Sequence, residues 1–423
     1  MPRSSSSEES GRETTISLFS GVSVSIKITT LNYKIKYGGA IYGQEEADAV
    51  MSSFWKNQKE GGAFPFGEEG LLMEQEAADY LGVKYGVLAN SGSSAGLLAL
   101  AALELPKGSE VIISATTFPT IFSIIVQCGL VPVVVDAKVG TYNFDVEDVK
   151  RAITEKTRAI IAIHAVGNPV DMPALMEAVE GKDIYVLEDA CDAFGGSING
   201  QKLGSFGYVS FTSFHAAHIV SMGQGGGVFT NNEIIAKNAR MYRDWGRQAN
   251  LEPRKNTEFP SLPEDYNPRF IYEKIGYNLS PLELQAAMGR VQLKRVEDIK
   301  VKRKANFEYL YEHLSKYDQL IMPSIIEGAD PCWFSFPLSV KEDRGALVEH
   351  LEKNGIETRS MFTGNVTKHP MCEKVEYRVS GELEGANYIL ERSFWVGLNP
   401  LMTQEDREYM VKTFDDYFKT TAA

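Results

Sequence analysis

Cysteine is scarce in this chain of 423 residues, which has four, far apart and without a Cys-x-x-Cys pair: Cys128, Cys191, Cys332 and Cys372. That spacing fits neither a zinc site nor a disulfide scaffold. Thiols of this kind are normally reduced and buried in a cytosolic protein of this size. We therefore expect no metal site and a cytoplasmic protein.

Long apolar runs and an excess of basic charge are also absent. No run of about 18 apolar residues could span a bilayer. The Ser/Glu-rich start, from Met1 to Thr15, lacks the apolar segment of a secretory signal, and we predict a disordered tail there. With 43 Lys and Arg against 56 Asp and Glu, the formal net charge is −13, which argues against broad contacts with nucleic-acid phosphates. We expect neither a membrane protein nor a nucleic-acid binder.

Short, continuous apolar runs alternate with helical segments between about residues 85 and 230. The runs are Val87–Ala89, Val111–Ile113, Val133–Val135, Ala159–Ile163 and Ile184–Leu187. This alternation predicts strands buried on both faces of a largely parallel sheet, hence an α/β fold. Ligands of such sheets bind at the carboxyl ends of the strands.

The pattern changes after residue 278. Ser280–Glu283 has the N-cap, first-turn proline and capping-box glutamate of a helix start, and an amphipathic stretch follows to about Tyr317, suited to bridging two domains. Later segments predict a smaller α+β domain: Trp333–Val340, Ala346–Asn354 and Thr403–Phe418. We predict a tail or arm over residues 1–37, a large domain over 38–295 and a small domain over 296–423.

Three polar segments follow predicted strands, and each allows more than one interpretation. Asn90–Ala95 can be a phosphate seat at a helix start or only a capped turn. Glu188–Ala193 can hold a metal or a protonated ring nitrogen, or be a solvated loop. Ser213–Gly227 contains two histidines and a glycine run, which can be ligands or core residues and a turn. Neither G-x-G-x-x-G nor G-x-x-x-x-G-K-[ST] occurs, so dinucleotide and Walker-type sites lose their main support.

Together these segments resemble the DegT/DnrJ sugar aminotransferases of the aspartate-aminotransferase fold. Members of that family carry Ser-Phe-His-x-x-Lys before a Gly-Glu-Gly-Gly run, and the lysine forms a Schiff base with pyridoxal phosphate. In this chain His218 stands at the lysine position, and no lysine occurs from Leu203 to Ala236. The same replacement is typical of a small branch of the family, the 3-dehydratases of nucleotide-linked 4-keto-6-deoxyhexoses, and in this respect the chain resembles that branch. The resemblance covers about residues 38–418.

The resemblance implies a type I pyridoxal phosphate fold, with a large, mixed and mostly parallel sheet domain and a small C-terminal α+β domain. It implies pyridoxamine or pyridoxal phosphate held without a covalent link, because histidine cannot form the stable Schiff base. The catalytic residues would be His218 and Asp189. The residues implied to hold the cofactor are Gly92, Ser93, Ser94, Phe118, Asp189, Cys191, Ser213 and, from a neighbouring subunit, Asn278. Arg359 and Asn365 would border the substrate.

One departure within the branch bears on how the reaction is completed. Its ascarylose-type members hold a [2Fe–2S] cluster through four cysteines, three of them shortly after an Arg-Asp-Trp-Gly segment. Here the chain continues from Gly246 with no cysteine before Cys332, as in the colitose-type members. We therefore expect no iron–sulfur cluster, and regeneration of the amine from glutamate by a homodimer with shared active sites.

The expected function is removal of the C3 hydroxyl in 3,6-dideoxysugar biosynthesis, a pathway that feeds lipopolysaccharide O-antigen. Two alternatives stay open. One is a dehydratase that uses an external reductase, as in the ascarylose pathway. The other is a cofactor-binding scaffold that lost catalysis with its lysine.

Overall fold

The computed structural model describes residues 11–18, 22–29, 33–61, 66–247 and 259–421. Two antiparallel strands come first, Gly11–Leu18 (β1) and Val22–Thr29 (β2). The expectation of disorder up to Thr15 is therefore wrong from Gly11 onward, while residues 1–10 lie outside the described part. Within the described part, no helix combines the length and the apolar character needed to cross a membrane.

The remaining elements are numbered in chain order. The helices are α1 (Gln44–Lys59), α2 (Glu68–Leu81), α3 (Gly92–Ala101), α4 (Pro119–Gln127), α5 (Val146–Ala152), α6 (Met172–Val179), α7 (Glu233–Arg243), α8 (Glu283–Leu293), α9 (Val296–Leu314), α10 (Arg344–Lys353), α11 (Glu384–Arg392) and α12 (Gln404–Thr421). The strands are β3 (Tyr85–Ala89), β4 (Glu110–Ser114), β5 (Val131–Val135), β6 (Thr157–Ile163), β7 (Tyr185–Asp189), β8 (Ser197–Ile198), β9 (Gln201–Lys202), β10 (Val209–Ser213), β11 (Gly226–Thr230), β12 (Leu320–Ile321), β13 (Ala329–Asp330), β14 (Ser335–Val340), β15 (Thr358–Ser360), β16 (Arg378–Val379) and β17 (Ser393–Gly397).

The large sheet has eight strands in the order β16-β5-β4-β6-β7-β10-β11-β3. Within it, β11 runs antiparallel to both of its neighbours, and the other pairs are parallel. Helices α3, α4 and α7 pack on this sheet and exclude water from its central strands. The predicted α/β fold with a mixed, mostly parallel sheet is confirmed, and all five predicted apolar runs overlap its strands.

A second sheet, in the order β12-β14-β17-β15, is antiparallel. Residues of α9, α10 and α12 form a separate apolar core against it. Ile35 pairs with Ile356 beside β15, so the chain before α1 packs on this part of the molecule. Strand β16 pairs instead with β5 of the large sheet, so the division predicted at residue 295 does not separate the two sheets completely. The domain boundaries stay a prediction.

The helical stretch after residue 280 differs from its prediction. Helix α8 begins at Glu283, and the Gln285 side chain accepts the backbone N–H of its N-cap residue Leu282 at 2.9 Å. The expected capping role of Glu283 is therefore wrong, because its buried carboxylate faces another helix. Lys294 and Arg295 also separate α8 from α9, so two helices replace the continuous stretch.

Candidate active site

A cavity of about 1010 Å³ lies at the carboxyl ends of the central strands of the large sheet. The large sheet contributes three lining residues: His164 directly after β6, Asp189 at the end of β7 and Ser213 at the end of β10. Arg359 of β15 and Trp395 of β17 line it from the smaller sheet. The cavity thus occupies the edge of the sheet that strand direction predicts for a ligand.

The start of α3 forms one end of this cavity. Gly92 and Ser93 line it, and Ser91 caps the helix by accepting the Ser94 backbone N–H at 3.1 Å. Gly92 cannot carry a side chain, since a Cβ there would lie 2.6 Å from the Ser213 Cβ. Backbone amides at a helix start, beside the hydroxyl groups of Ser93 and Ser213, form a binding site suited to an anion. Ser94 belongs to the cap and does not line the cavity, so the structure does not place it with the other predicted ligands.

The acid at the end of β7 is held rigidly. Asp189 is buried, and its Oδ1 accepts the backbone N–H of Cys191 at 3.0 Å. Burial raises the pKa of Asp189 above its ordinary value, and the hydrogen bonds from Cys191 oppose that rise. A cationic partner in the cavity would remove the cost of ionising this carboxyl group. Asp189 and Cys191 both line the cavity, as predicted for them.

His218 lies on the same wall of the cavity. Its Nδ1 is 3.3 Å from Oδ1 of Asp192, and its ring stacks on Phe334 with centroids 5.2 Å apart. Burial, helped by the nearby His215, lowers the pKa of His218 to about 3. Burial and the charge of Asp189 raise the pKa of Asp192 to about 8. Both shifts favour the uncharged forms, a neutral imidazole beside a carboxyl group that keeps its proton.

The remaining predicted residues divide into two groups. Phe118, at the start of α4, and Arg359 line the cavity; the Arg359 guanidinium lies 4.4 Å from the Tyr37 ring centre. Asn365 does not line it: this residue is fully buried, donates to Asn387 and accepts from Thr367, so it stabilises a turn. Asn278 lies outside the cavity of its own subunit, exposed and paired with Asp244.

His164 and Asp192 are among the polar residues of the site to which sequence reasoning gave no role. His164 accepts the Val170 N–H on Nδ1 and lies 3.2 Å from Glu188 through Nε2, so it is a structural histidine with a fixed tautomer. Its position directly after β6 could have indicated that it faces the ligand. Asp192 lies in a predicted acidic segment, but its contact with His218 joins separate loops and has no sequence signal.

Comparisons with known proteins agree with this geometry. Residues 46–415 match the model of the DegT/DnrJ/EryC1/StrS aminotransferase family. The chain is 38% identical to the lipopolysaccharide biosynthesis protein RfbH of Salmonella typhimurium over 366 residues, 82% of this chain and 84% of that protein. It is 35% identical to the GDP-4-keto-6-deoxy-D-mannose 3-dehydratase of Yersinia pseudotuberculosis over 368 residues, 84% of this chain and 92% of that enzyme.

Solved structures show the same likeness. The Escherichia coli GDP-4-keto-6-deoxy-D-mannose-3-dehydratase with bound hydrated PLP superposes with a TM-score of 0.83 at 28% identity, covering 90% of this chain and 99% of that one. A structure of GDP-4-keto-6-deoxymannose-3-dehydratase with a trapped PLP-glutamate geminal diamine gives the same score and identity over 90% of this chain and 100% of its own. This chain therefore belongs to the DegT/DnrJ/EryC1/StrS aminotransferase family.

Proposed function

We propose that this protein is a pyridoxamine phosphate-dependent 3-dehydratase that removes the C3 hydroxyl of a nucleotide-linked 4-keto-6-deoxyhexose. The observation that carries the proposal is His218, which faces the cavity where the resemblance places the lysine of an aminotransferase. No lysine is among the described residues that line the cavity. The names of the similar dehydratases support the same reaction class.

The residues of the cavity fit the cofactor. The amides at the start of α3, with Ser93 and Ser213, suit its phosphate. The carboxylate of Asp189 suits a protonated ring nitrogen, and Phe118 and Cys191 would cover the two ring faces. Because none of the described residues in this wall is a lysine, these contacts would hold the cofactor without a covalent link.

When bound, pyridoxamine phosphate supplies an amine for the C4 ketone and a ring that accepts electrons as the C3–O bond breaks. Asp189 keeps the ring nitrogen protonated, which strengthens that capacity. Because burial keeps its imidazole neutral, His218 can take a proton as a base, and the ring protonated in this way gives the proton to the departing oxygen. The Phe334 ring stacks on His218 and covers one face of the imidazole.

The amine is restored by glutamate. Removal of the C3 oxygen reduces the sugar by two electrons, and conversion of glutamate to 2-oxoglutarate and ammonia supplies two. Nucleotide sugar and glutamate then give 3-deoxy sugar, 2-oxoglutarate and ammonia, with the water lost in dehydration used in hydrolysis. The PLP-glutamate complex of a similar dehydratase supports this donor. The chain also lacks the cysteines that would hold an iron–sulfur cluster; the segment after Arg247, where they would stand, lies outside the described residues.

The rest of the cavity would receive the nucleotide sugar. Arg359 is half-exposed at the rim, ion-paired to Glu357 and stacked on Tyr37, and it can turn to a phosphate oxygen of the substrate. Asn278 is exposed and does not line the cavity of its own chain, so we propose that it serves the phosphate site of the second subunit of a homodimer.

The test incubates the purified protein with GDP-, CDP- and dTDP-linked 4-keto-6-deoxyhexoses, glutamate and pyridoxamine phosphate, without air or reductase. Mass spectrometry of the sugar and enzymatic measurement of 2-oxoglutarate should show equal yields of 3-deoxy sugar and 2-oxoglutarate with one of these nucleotides. Product formed only after NADH and a reductase are added would replace the glutamate scheme by the ascarylose-type reaction. An amino sugar, or no turnover with any substrate, would overturn the dehydratase assignment.

A further inference from the structure

His218, the proposed base of the site, lies beside the carboxyl group of Asp192. Nδ1 of His218 lies 3.3 Å from Oδ1 of Asp192, and the two side chains are 16% and 10% exposed. Nδ1 is buried and makes no hydrogen bond of ordinary geometry. The Asp192 carboxyl group is therefore placed to receive or give the proton of this nitrogen with a small movement of either side chain.

Asp192 is itself fixed by an unusual piece of backbone. The amide of Val166 donates to its carboxylate, and Val166 adopts a left-handed conformation with φ 49° and ψ 26°. A β-branched residue rarely adopts this conformation, at a cost of about 1–3 kcal/mol, and such residues concentrate at functional sites. The Phe334 N–H donates to the Val166 carbonyl at 3.0 Å. Val166 thus contacts Asp192 through its N–H and the backbone of Phe334, whose ring stacks on His218, through its carbonyl.

We propose that Asp192 is the positioning residue of the catalytic histidine, holding the Nδ1 proton of His218 so that Nε2 is the base that faces the cavity. The inference rests on the proposed function for the identity of the base. Asp192 does not touch the substrate in this scheme. It determines which ring nitrogen carries the proton, and the orientation of the ring.

Asp189, three residues earlier, couples this pair to the cofactor. Its negative charge opposes the ionisation of Asp192 and contributes to the raised pKa of that group. If Asp189 held a protonated ring nitrogen, its charge would be balanced, and Asp192 would ionise more readily. The carboxylate then draws the His218 proton to Nδ1 and leaves Nε2 free. The loaded cavity thus contains an active base, whereas the empty cavity contains a neutral pair.

Other groups around the pair also act on its proton. His215 and the buried guanidinium of Arg303 both disfavour a positive charge on His218, and Arg303 favours the carboxylate form of Asp192. The backbone carbonyl of Cys191 favours a protonated His218. Arg303 is fixed by the carbonyls of Trp333 and Phe334, at 3.3 and 2.5 Å. A pH profile of the site therefore reports the titration of His218 and Asp192 as these neighbouring groups shift it.

The first test uses NMR of protein labelled with ¹⁵N-histidine, in which His218→Asn identifies the signal of residue 218. With pyridoxamine phosphate bound, we expect His218 to carry its proton on Nδ1 in the wild type and on Nε2 in Asp192→Ala. An unchanged tautomer in the variant would overturn the proposal. This measurement needs no substrate, so it remains decisive even if the protein dehydrates none of the sugars and the proposed function fails.

The second test follows loss of deuterium from C4′-labelled pyridoxamine phosphate. Asp192→Asn should slow it about 10²-fold or more, as expected for a misdirected general base, while cofactor affinity by absorbance titration changes less than about threefold. The pH dependence of the exchange rate that arises from titration of the His218–Asp192 pair should disappear. Asp171→Asn, the same change at the cap of α6 outside the cavity, should leave both measurements at wild-type values. Wild-type exchange with an unchanged pH profile in Asp192→Asn, or equal losses of exchange and affinity, would reduce Asp192 to a structural residue.

Discussion

At the scale of single residues, the exchange of lysine for histidine decides how the cofactor is kept. A lysine amine would recapture pyridoxal phosphate after each turnover, whereas an imidazole forms no stable bond of that kind. Retention then depends on the α3 amides, Asp189 and the ring contacts. These groups are already in place around the cavity.

We predict that borohydride treatment of the pyridoxal phosphate-loaded protein leaves no cofactor on the peptide chain. No lysine is among the described residues lining the cavity, so the cofactor should be recovered free after denaturation. Peptide mapping by mass spectrometry checks this outcome. A stoichiometric phosphopyridoxyl-lysine on one peptide would show that a covalent link does form, and an unrelated lysine-linked aminotransferase serves as the positive control.

His218→Asn should retain the cofactor but lose exchange of the C4′ proton. An amide has a shape similar to part of the imidazole but cannot accept and return a proton at neutral pH. General acid–base catalysis contributes roughly 10²–10⁴-fold, so the loss should be of that order. Deuterium washout measures the step, and absorbance titration measures cofactor binding. Washout at near the wild-type rate would remove His218 from this role.

Site residues could be predicted from the sequence where they belong to a local motif, and less well where their role depends on tertiary contacts. Asp189, Ser213 and His218 follow strands in recognisable order, and the structure brings all three to one cavity. Asn365 also stands in a matching stretch, yet its amide is consumed by Asn387 and Thr367. The Asp192–His218 contact depends on how two loops meet, which one sequence does not specify.

At the scale of elements, the buried Glu283 of α8 stabilises the start of α2. Its carboxylate accepts backbone N–H groups of Gly67, Glu69 and Gly70, at 2.8, 2.7 and 3.2 Å. First-turn amides have no partner within their own helix, and a negative charge there also interacts favourably with the helix dipole. The contact joins residues more than 200 positions apart, so the local Ser280–Glu283 pattern suggested the wrong helix.

Glu283→Ala should lower the free energy of unfolding by about 1–3 kcal/mol, because buried donors lose their acceptor. Urea denaturation followed by circular dichroism measures the change. The control is Glu308→Ala, which removes an exposed carboxylate of α9 and should cost less than about 0.5 kcal/mol. Equal stability of the Glu283 variant and the wild type would show that water replaces this cap without cost.

The edge strand β16 depends on an ion pair that acid should break. Arg378 donates to both carboxylate oxygens of Glu110 in β4, at 3.0 and 2.8 Å. The hydrogen bond from Arg378 lowers the pKa of Glu110 below its ordinary value. This stabilisation is complete above the unfolded pKa of about 4.3 and is lost as pH falls through the lower folded value. Denaturation at pH 3 to 7 should show this loss in the wild type and a smaller one in Arg378→Met; parallel curves for the two proteins would contradict it.

The strands were predictable because each buried run is apolar over its whole length, whereas helix ends were not. Val111–Ile113 and Ala159–Ile163 have no polar face, which only a doubly covered sheet explains. The break at Lys294 and Arg295 lies within a continuous amphipathic pattern. Helix α8 packs against α1 and α2, a tertiary setting that the local pattern does not contain.

At the scale of the whole molecule, one group of apolar side chains remains outside both cores. Met51 and Trp55 of α1, Leu71 of α2 and Leu282 before α8 are each about half exposed. Helix α8 packs against both α1 and α2. Ile275, three residues before Asn278, is 96% exposed. The homodimer proposed above, in which Asn278 enters the partner's cavity, would cover exposed apolar groups of this kind.

Mixing two inactive variants tests that arrangement. If Asn278 serves the partner's site, a heterodimer of His218→Asn and Asn278→Ala contains one subunit whose His218 is intact and whose phosphate site receives an intact Asn278. Random reassociation then makes about half of the dimers mixed, each with one complete site, so activity should recover to about 25% of wild type. The readout is 3-deoxy sugar formed after co-refolding or co-expression, with light scattering confirming dimers. If Asn278 acted within its own subunit, neither site of the mixed dimer would be complete, and activity would stay at the level of the separate variants.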